Sequence, residues 1–514
     1  MFCPSSCARA AGRRKPDAED TAGTSVNIKQ WLHDGEAKRR QYTVIMRVQS
    51  AFAAVALVVA ASASSVSGFV PPAIPSQCST ASTTASPAAS SSSAAANTVH
   101  NTATTHLRST TEESEIVLNP IVSSVKISKT VEIFSLVKQM EAEGVEVTSL
   151  CVGEPDFPPP QAVLEAAAAA IKDCDTRYTA VTGTAALREA IADDLKRRKK
   201  VEYNPQTEIV VGNGAKQCVY QGVLATCGPL DSVIVPAPYW PSYPEMVSLT
   251  GATPIILETK EEDGYLITPD ALRKVLSEND NVKLLILCNP SNPTGGVHTE
   301  ERLRELAAVL DEYPNVAILA DEIYERLVYN DDPSGGHVSF AAISPSMYQR
   351  TMTVNGFSKA YAMTGMRLGY LAAPARLAKA TTTIQSQLTS CAGSISQAAG
   401  VAALRDVPEE ELETNVQVMR EKRDYVIDRL RKMPQVNLKV PPTGAFYVLP
   451  DVSAHYDGDD VALCLDLLKK KRLALVPGSS FGAPGTVRIS YATSMDELEL
   501  AMNKLEEFLL EDDF

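Results

Sequence analysis

Basic charge is in deficit: 48 lysines and arginines stand against 62 aspartates and glutamates, a formal net charge of -14 over 514 residues. A chain so balanced offers no basic field to release counterions from nucleic acid, which excludes a polyphosphate partner. Paired cysteines are lacking as well. The ten cysteines (Cys3, Cys7, Cys78, Cys151, Cys174, Cys218, Cys227, Cys288, Cys391 and Cys464) are scattered, with no C-x-x-C and no histidine group at zinc spacing. Neither a metal site nor a disulfide framework is expected, and buried reduced thiols are. The apolar run at 51–61 falls well short of the ~20 residues that span a bilayer, so no permanent anchor is expected. The stretch VVGNGAKQCVYQGVLA from Val210 lacks the third glycine of the dinucleotide fingerprint, Gln217 lying in its place, and does not match a P-loop. That disfavours a nicotinamide dehydrogenase.

Acidic residues are absent between positions 46 and 111. This segment opens MRVQSAFAAVALVVAASASSVSGFVPP, with an arginine, an apolar run and small residues, the layout of a signal peptide. It continues rich in Ser, Thr and Ala, as organellar transit sequences do. The whole resembles the bipartite presequences of algae with complex plastids, in which a small-residue site followed by Phe (here Ser67, Gly68, Phe69) joins the two parts. Plastid targeting is therefore expected, the alternative being a secreted protein with a Ser/Thr-rich linker. Residues 1–45 are polar and of mixed charge, which points to Met46 as the initiator and to 1–45 as an upstream extension.

From Glu112 apolar strand-like runs alternate with amphipathic helix-like runs, the α/β pattern of a largely parallel sheet. Strands are predicted at 209–211, 232–235, 284–288, 317–320 and 351–354, each followed by Gly, Pro, Asn or Asp. Helices are predicted at 161–173, 185–199 and 300–311. The last third changes character: helices near 415–432 and 462–471 flank strand-like runs at 445–449, 473–476 and 486–491, which suggests a smaller α+β domain. The expected divisions are 1–45, the targeting segment 46–111, an N-terminal arm with part of the small domain at 112–160, a large domain at 161–400 and the small C-terminal domain at 401–514.

Ligand groups in open α/β sheets sit just past the carboxyl ends of strands, and four such places carry unusual chemistry. After the first strand, the turn at Gly214 opens a helix whose N–H groups at Gly214, Ala215 and Lys216 could hold a phosphate, although a plain helix start would look the same. LILCNPSNPTGG ends a strand in a rigid loop that fixes Asn292. VAILADEIYERL puts Asp321 at the end of an apolar strand, where a carboxylate is costly without a cationic partner; a helix cap is the plainer reading. NGFSKAYAMTGMRLGY then follows the strand TMTV and carries Lys359 and Arg367. Singly, both could be solvated surface charges. Together they make a confined cationic site, where a lysine amine loses its proton readily enough to condense with a carbonyl and an arginine fork meets a phosphate.

GEPDF, YTAVTG, NGAKQ, PAPYW, NPSNPTG, DEIY, NGFSKAYAMTGMRLGY, GAFYVL and VRISYATS, in this order over about residues 118–510, resemble the class I, fold-type I pyridoxal phosphate aminotransferases. Within that family the likeness is to bacterial-type aspartate aminotransferases and the plant plastid enzymes that also transaminate prephenate. The resemblance implies an α/β fold with a large domain built on a mainly parallel seven-stranded sheet and a smaller α+β domain. It also implies pyridoxal 5'-phosphate as cofactor, amino-acid and 2-oxo-acid substrates, and a homodimer with a shared active site. Alternatives are another amino-acid specificity, a carbon–sulfur lyase on the same fold, or an inactive coenzyme-binding regulator.

By the same resemblance Lys359 bonds the coenzyme and moves the substrate proton, while Asp321 keeps the ring nitrogen protonated. Tyr324, with Asn292, hydrogen-bonds the ring oxygen, and Trp240 stacks on the ring. Gly214, Ala215, Lys216, Ser358, Arg367 and, from a second subunit, Tyr178 surround the cofactor phosphate. Arg488 clamps the substrate α-carboxylate with Gly153 and Asn292, and Trp240 also borders the substrate. Lys216, Thr130 and Lys126 match residues that meet the distal carboxylate. Two departures, Met366 where relatives carry tryptophan and Ile127 in place of proline, are expected near the mouth of the site.

Overall fold

The computed structural model describes residues 118–125, 129–329 and 336–511. The expected leader, the extension ahead of it, Lys126 and Ile127 lie outside the described residues. In chain order the strands are β1 (Thr148–Ser149), β2 (Ile209–Gly212), β3 (Ser232–Ala237), β4 (Thr253–Glu258), β5 (Val282–Cys288) and β6 (Ala317–Asp321). β7 (Thr351–Gly356), β8 (Gly369–Ala372), β9 (Tyr447–Val448), β10 (Leu473–Ala474), β11 (Val476–Pro477) and β12 (Val487–Ser490) follow.

Seven strands form one sheet in the order β2-β8-β7-β6-β5-β3-β4. The pairs among β3, β4, β5, β6 and β7 are parallel, while β8 runs antiparallel to both β2 and β7. This is the expected mainly parallel seven-stranded sheet. The runs of β3, β5 and β6 are mostly apolar, as expected of strands covered on both faces; β7, β8 and the edge strand β2 are buried at every position. Two members escape a reading by apolar runs. β4 is an edge strand with exposed Thr253 and Glu258, and β8 begins on a glycine within a stretch dominated by site residues.

The predicted helix at 185–199 is α-helical over Ala185–Asp194 and then relaxes into a π turn, Leu195–Lys199. Its charges meet the loop after β6. Arg198 lies 2.7 Å from both Asp194 and Glu325, Lys199 lies 2.5 Å from Glu325, and Arg326 lies 3.3 Å from Asp194. Burial alone would raise the Glu325 carboxyl, but Arg198 and Lys199 outweigh it and hold the group well below its ordinary range. The exit of β6 is thereby tied to the helix layer.

The last third forms the smaller α+β part. β11, β12 and β9 make an antiparallel sheet, and helices Glu409–Leu430, Asp460–Lys471 and Met495–Glu511 pack around it. The first of these starts six residues earlier than predicted. Pro408 precedes it and Glu409, Glu410 and Glu411 fill its first turn, where carboxylates favour the positive end of the helix dipole. The predicted run at 473–476 divides in two, since β10 pairs with β1 and β11 with β12. Residues near 148 are thus joined to this part by a parallel pair. Helix Ser394–Arg405 passes through residue 400 and packs on helix Gln161–Lys172. Among the described residues no helix is long and apolar enough to cross a membrane.

One contact sets the distance between sheet and helix. Gly369 opens β8 opposite Gly212, and a Cβ there would lie 2.4 Å from Ala215 N and 2.6 Å from Gly214 C. Both neighbours are backbone and cannot swing aside. The substitution Gly369→Ala is expected to destabilise the fold by about 1–3 kcal/mol through overpacking, read as a lower melting temperature; an unchanged melting temperature would show that the helix start is free to move.

Candidate active site

The carboxyl ends of β2, β5, β6 and β7 open onto one cavity of about 410 Å³, closed from the other side by Arg488 of β12 and Tyr447 of β9. At its first corner the helix Ala215–Thr226 starts at Gly214, which sits at φ +91° and supplies no side-chain cap. The helix N–H groups therefore remain available to an anion. A Cβ on Gly214 would meet Arg367 Nη2 at 2.5 Å, so the glycine makes room for the guanidinium. Arg367 itself holds φ +51°, a left-handed conformation that is costly for a non-glycine residue, and its Nη1 donates to Thr364 O at 2.9 Å. Ser358 is buried beside it. Uncapped N–H groups, a hydroxyl and an arginine fork form a cradle suited to a phosphate.

The second group is built on two buried titratable side chains, Asp321 and Lys359. Asp321 ends β6 fully enclosed, and burial raises its carboxyl to about 6 against the opposing pull of a hydrogen bond from Tyr243, the Ile323 N–H and the charge of Lys359. Tyr243 Oη donates to Asp321 Oδ2 at 2.6 Å. Tyr243 also stands edge-on to Trp240, with ring centres 5.3 Å apart. Lys359 Nζ donates to the Gly153 carbonyl. Burial lowers its amine to about 8; Glu154 opposes that shift, and Arg488 and Arg367 add to it. An amine near neutrality and a buried acid at adjoining strand exits fit an aldehyde and a ring nitrogen respectively. Tyr324 lies 2.9 Å from Tyr447, oxygen to oxygen, and burial raises its phenol well above the ordinary range.

The third group centres on a buried guanidinium. Arg488 is buried, with Nη1 donating to Asn292 Oδ1 at 3.2 Å and Nη2 to the Cys151 carbonyl at 2.5 Å. Its Nε has no hydrogen-bond partner among the described residues. A buried guanidinium left one donor short is a site for an incoming anion. The rings of Tyr447 and Phe481 lie against it, their centres 4.6 and 4.8 Å from Cζ. In the same cavity Lys216 Nζ lies 5.2 Å from the Trp240 ring centre, and burial, helped by Arg367, lowers its amine. The lining carries Lys216, Lys359, Arg367 and Arg488 against Glu154 and Asp321.

Eleven of the expected residues thus line one cavity: Gly153, Ala215, Lys216, Trp240, Asn292, Asp321, Tyr324, Ser358, Lys359, Arg367 and Arg488. Gly214 adjoins it through Arg367. Tyr178 does not reach the cavity; 89% of it is exposed. Thr130 lies in the first turn of helix Lys129–Ala142, one turn before Phe134, which does line the cavity. Lys126 lies outside the described residues. Met366 is not at the mouth: it packs against the core around Leu368 and Phe357, and its carbonyl accepts from Ser396. Sequence reasoning missed Tyr243, Tyr447 and Phe481. Tyr243 follows Trp240 by three residues at a helix start, and Tyr447 lies in the GAFYVL motif, but only the fold shows whom they touch.

Comparison with known proteins matches this geometry. Residues 145–505 fit the family described as Aminotransferase class I and II. The chain is 48% identical over 409 residues to an aspartate aminotransferase of Pinus pinaster, covering 77% of this chain and 81% of that one. It is 44% identical to the bifunctional aspartate aminotransferase and glutamate/aspartate-prephenate aminotransferase of Petunia hybrida, covering 77% and 84%. Among solved structures, the Thermus thermophilus aspartate aminotransferase with maleate superposes with a TM-score of 0.72 at 36% identity, covering 76% of this chain and all of that one. With a buried lysine, a buried acid and two arginines lining one cavity, the chain belongs to the class I and II aminotransferases, pyridoxal phosphate enzymes that move an amino group between amino and 2-oxo acids.

Proposed function

We propose that this enzyme exchanges amino groups, by ping-pong kinetics, between aspartate or glutamate and oxaloacetate, 2-oxoglutarate or prephenate. The observation that carries this reading is that two cations from different parts of the chain, Arg488 and Lys216, line the one cavity, which suits a substrate with two carboxylates. The names of the pine and petunia relatives, and the dicarboxylate maleate in the Thermus structure, support the same substrate class.

When bound, the coenzyme supplies an aldehyde for the amino group and an electron-withdrawing ring. Gly214, Ala215, Ser358 and Arg367 would hold its phosphate, and Lys216 stands at the same helix start. Asp321 would hold a proton on the ring nitrogen, Tyr324 and Asn292 would hydrogen-bond the ring oxygen, and Trp240 would cover the ring face. Arg488, with Gly153 and Asn292 beside it, orients the substrate by its α-carboxylate. That leaves the α-hydrogen to the neutral amine of Lys359, the base that removes it and returns a proton on the far side of the exchange. Lys216, with Thr130 and Lys126, is assigned to the distal carboxylate.

The working unit is proposed to be a homodimer with Tyr178 completing the partner's phosphate cradle. Its near-complete exposure, together with exposed Leu164, Ile171 and Leu388, supports this. The destination is proposed to be a plastid, on the strength of residues 46–111. The large and small domains are proposed to divide near residues 160 and 400.

In single-turnover experiments aspartate, glutamate and arogenate should each convert the coenzyme absorption, and alanine much more slowly; reaction with alanine alone would remove the dicarboxylate assignment. Lys216→Met should lower kcat/KM for aspartate about ten- to hundredfold, the worth of one charged hydrogen bond, with less effect on monocarboxylic donors. Equal losses for both donor classes would place Lys216 elsewhere in the cycle. Because Lys359 is protonated below about pH 8 and only the neutral amine attacks, coenzyme capture by stripped enzyme should quicken as pH rises and level off above that value. A flat profile between pH 6 and 9, followed by absorbance after mixing, contradicts the assignment.

A further inference from the structure

Tyr447 belongs to a motif noted in the sequence, GAFYVL, yet none of the roles above uses it. It is 1% exposed and lies on β9, opposite Ser490 of β12. Arg488, two residues from Ser490, shares that face diagonally, so the backbone register itself brings the tyrosine ring to the guanidinium. The ring centre is 4.6 Å from Arg488 Cζ. The same side chain turns its hydroxyl to Tyr324, 2.9 Å away, with the two rings nearly perpendicular at 82°. Its third neighbour is Gly153: a Cβ there would stand 2.0 Å from Tyr447 Oη. The Gly153 carbonyl in turn accepts from Lys359. One buried phenol therefore touches the carboxylate clamp, the phenol assigned to the coenzyme ring oxygen, and the backbone that holds the reactive lysine.

We propose that Tyr447 is a positioning residue that locks the Arg488 guanidinium and the Tyr324 phenol into one unit, so that a carboxylate arriving at Arg488 is sensed at the coenzyme ring. This rests on the transamination reading. The two contacts divide the work. The ring braces Arg488, together with Phe481, and limits how far the guanidinium moves when its orphaned Nε gains a partner. The hydroxyl exchanges a hydrogen bond with Tyr324, and whichever oxygen donates fixes what Tyr324 can offer the coenzyme. Asn292 gives a second route from Arg488, so the Tyr447 route is expected to carry part of the coupling.

The test is a pH titration of the visible absorption of the holoenzyme, with and without saturating maleate, in wild type and Tyr447→Phe. The variant keeps the ring and loses the hydroxyl. Its titration midpoint should move by about half a unit or more, and the displacement caused by maleate should shrink by roughly half. The value of kcat should fall about tenfold while KM for aspartate stays within about twofold. Tyr447→Leu, which removes the ring, should in addition weaken maleate binding. A lowered melting temperature with an unmoved midpoint and an unchanged response to maleate would reduce Tyr447 to a packing residue and overturn the proposal. If wild type itself shows no response to maleate, the dicarboxylate reading fails instead. Should Tyr447→Phe not fold, Tyr324→Phe is compared with the double variant Tyr324→Phe/Tyr447→Phe, which removes both hydroxyls of the pair and leaves neither stranded. Equal midpoints in those two support action through Tyr324, and unequal ones overturn it.

Discussion

Lys359 and Asp321 are a cation and an anion withdrawn from water, and the rest of the site is arranged around that fact. Burial drives each toward its neutral form, the amine to about 8 and the carboxyl to about 6, while their mutual attraction pulls both back. The balance leaves two groups able to change protonation near neutral pH, which is the requirement for moving protons at a coenzyme. The balance depends on the sheet. β6 and β7 are parallel neighbours with Asp321 in register with Val354, so the acid and the lysine emerge from adjacent strand ends.

Around this pair, close approach is made possible by missing side chains. Gly214 leaves space for Arg367, Gly369 lets the strand touch the helix start, and Gly153 admits the Tyr447 hydroxyl. Arg367 accepts a left-handed backbone conformation in the same region. The strain is tolerated because the surrounding contacts over-determine the turn.

The cavity also reverses the sign of the whole molecule. A chain with net charge -14 presents four cations and two carboxylates to its ligand. In a confined, poorly hydrated space these local charges outweigh the distant surface charge, which solvent screens. Anionic substrates are thus drawn to this cavity.

Much of this was legible from residues alone. The short runs ending in Gly, Pro, Asn and Asp mark most strands of the sheet because strands covered on both faces are mostly apolar, and the motifs after them name Lys359, Asp321, Asn292 and Arg367. β4 and β8 were not legible, since β4 is exposed at Thr253, Ile256 and Glu258 and β8 is short and hidden among site residues. The break between β10 and β11 depends on which partner each finds. Met366 shows the limit most clearly: chain position suggests the mouth of the site, but the half-buried side chain packs against the core cluster that includes Leu368 and Phe357. The sequence by itself determined the chemistry, because reactive groups at strand ends are local features of the chain. Only the tertiary structure decided how Tyr243, Tyr447 and Phe481 serve those groups, because contacts between residues far apart in sequence arise from strand register and helix packing.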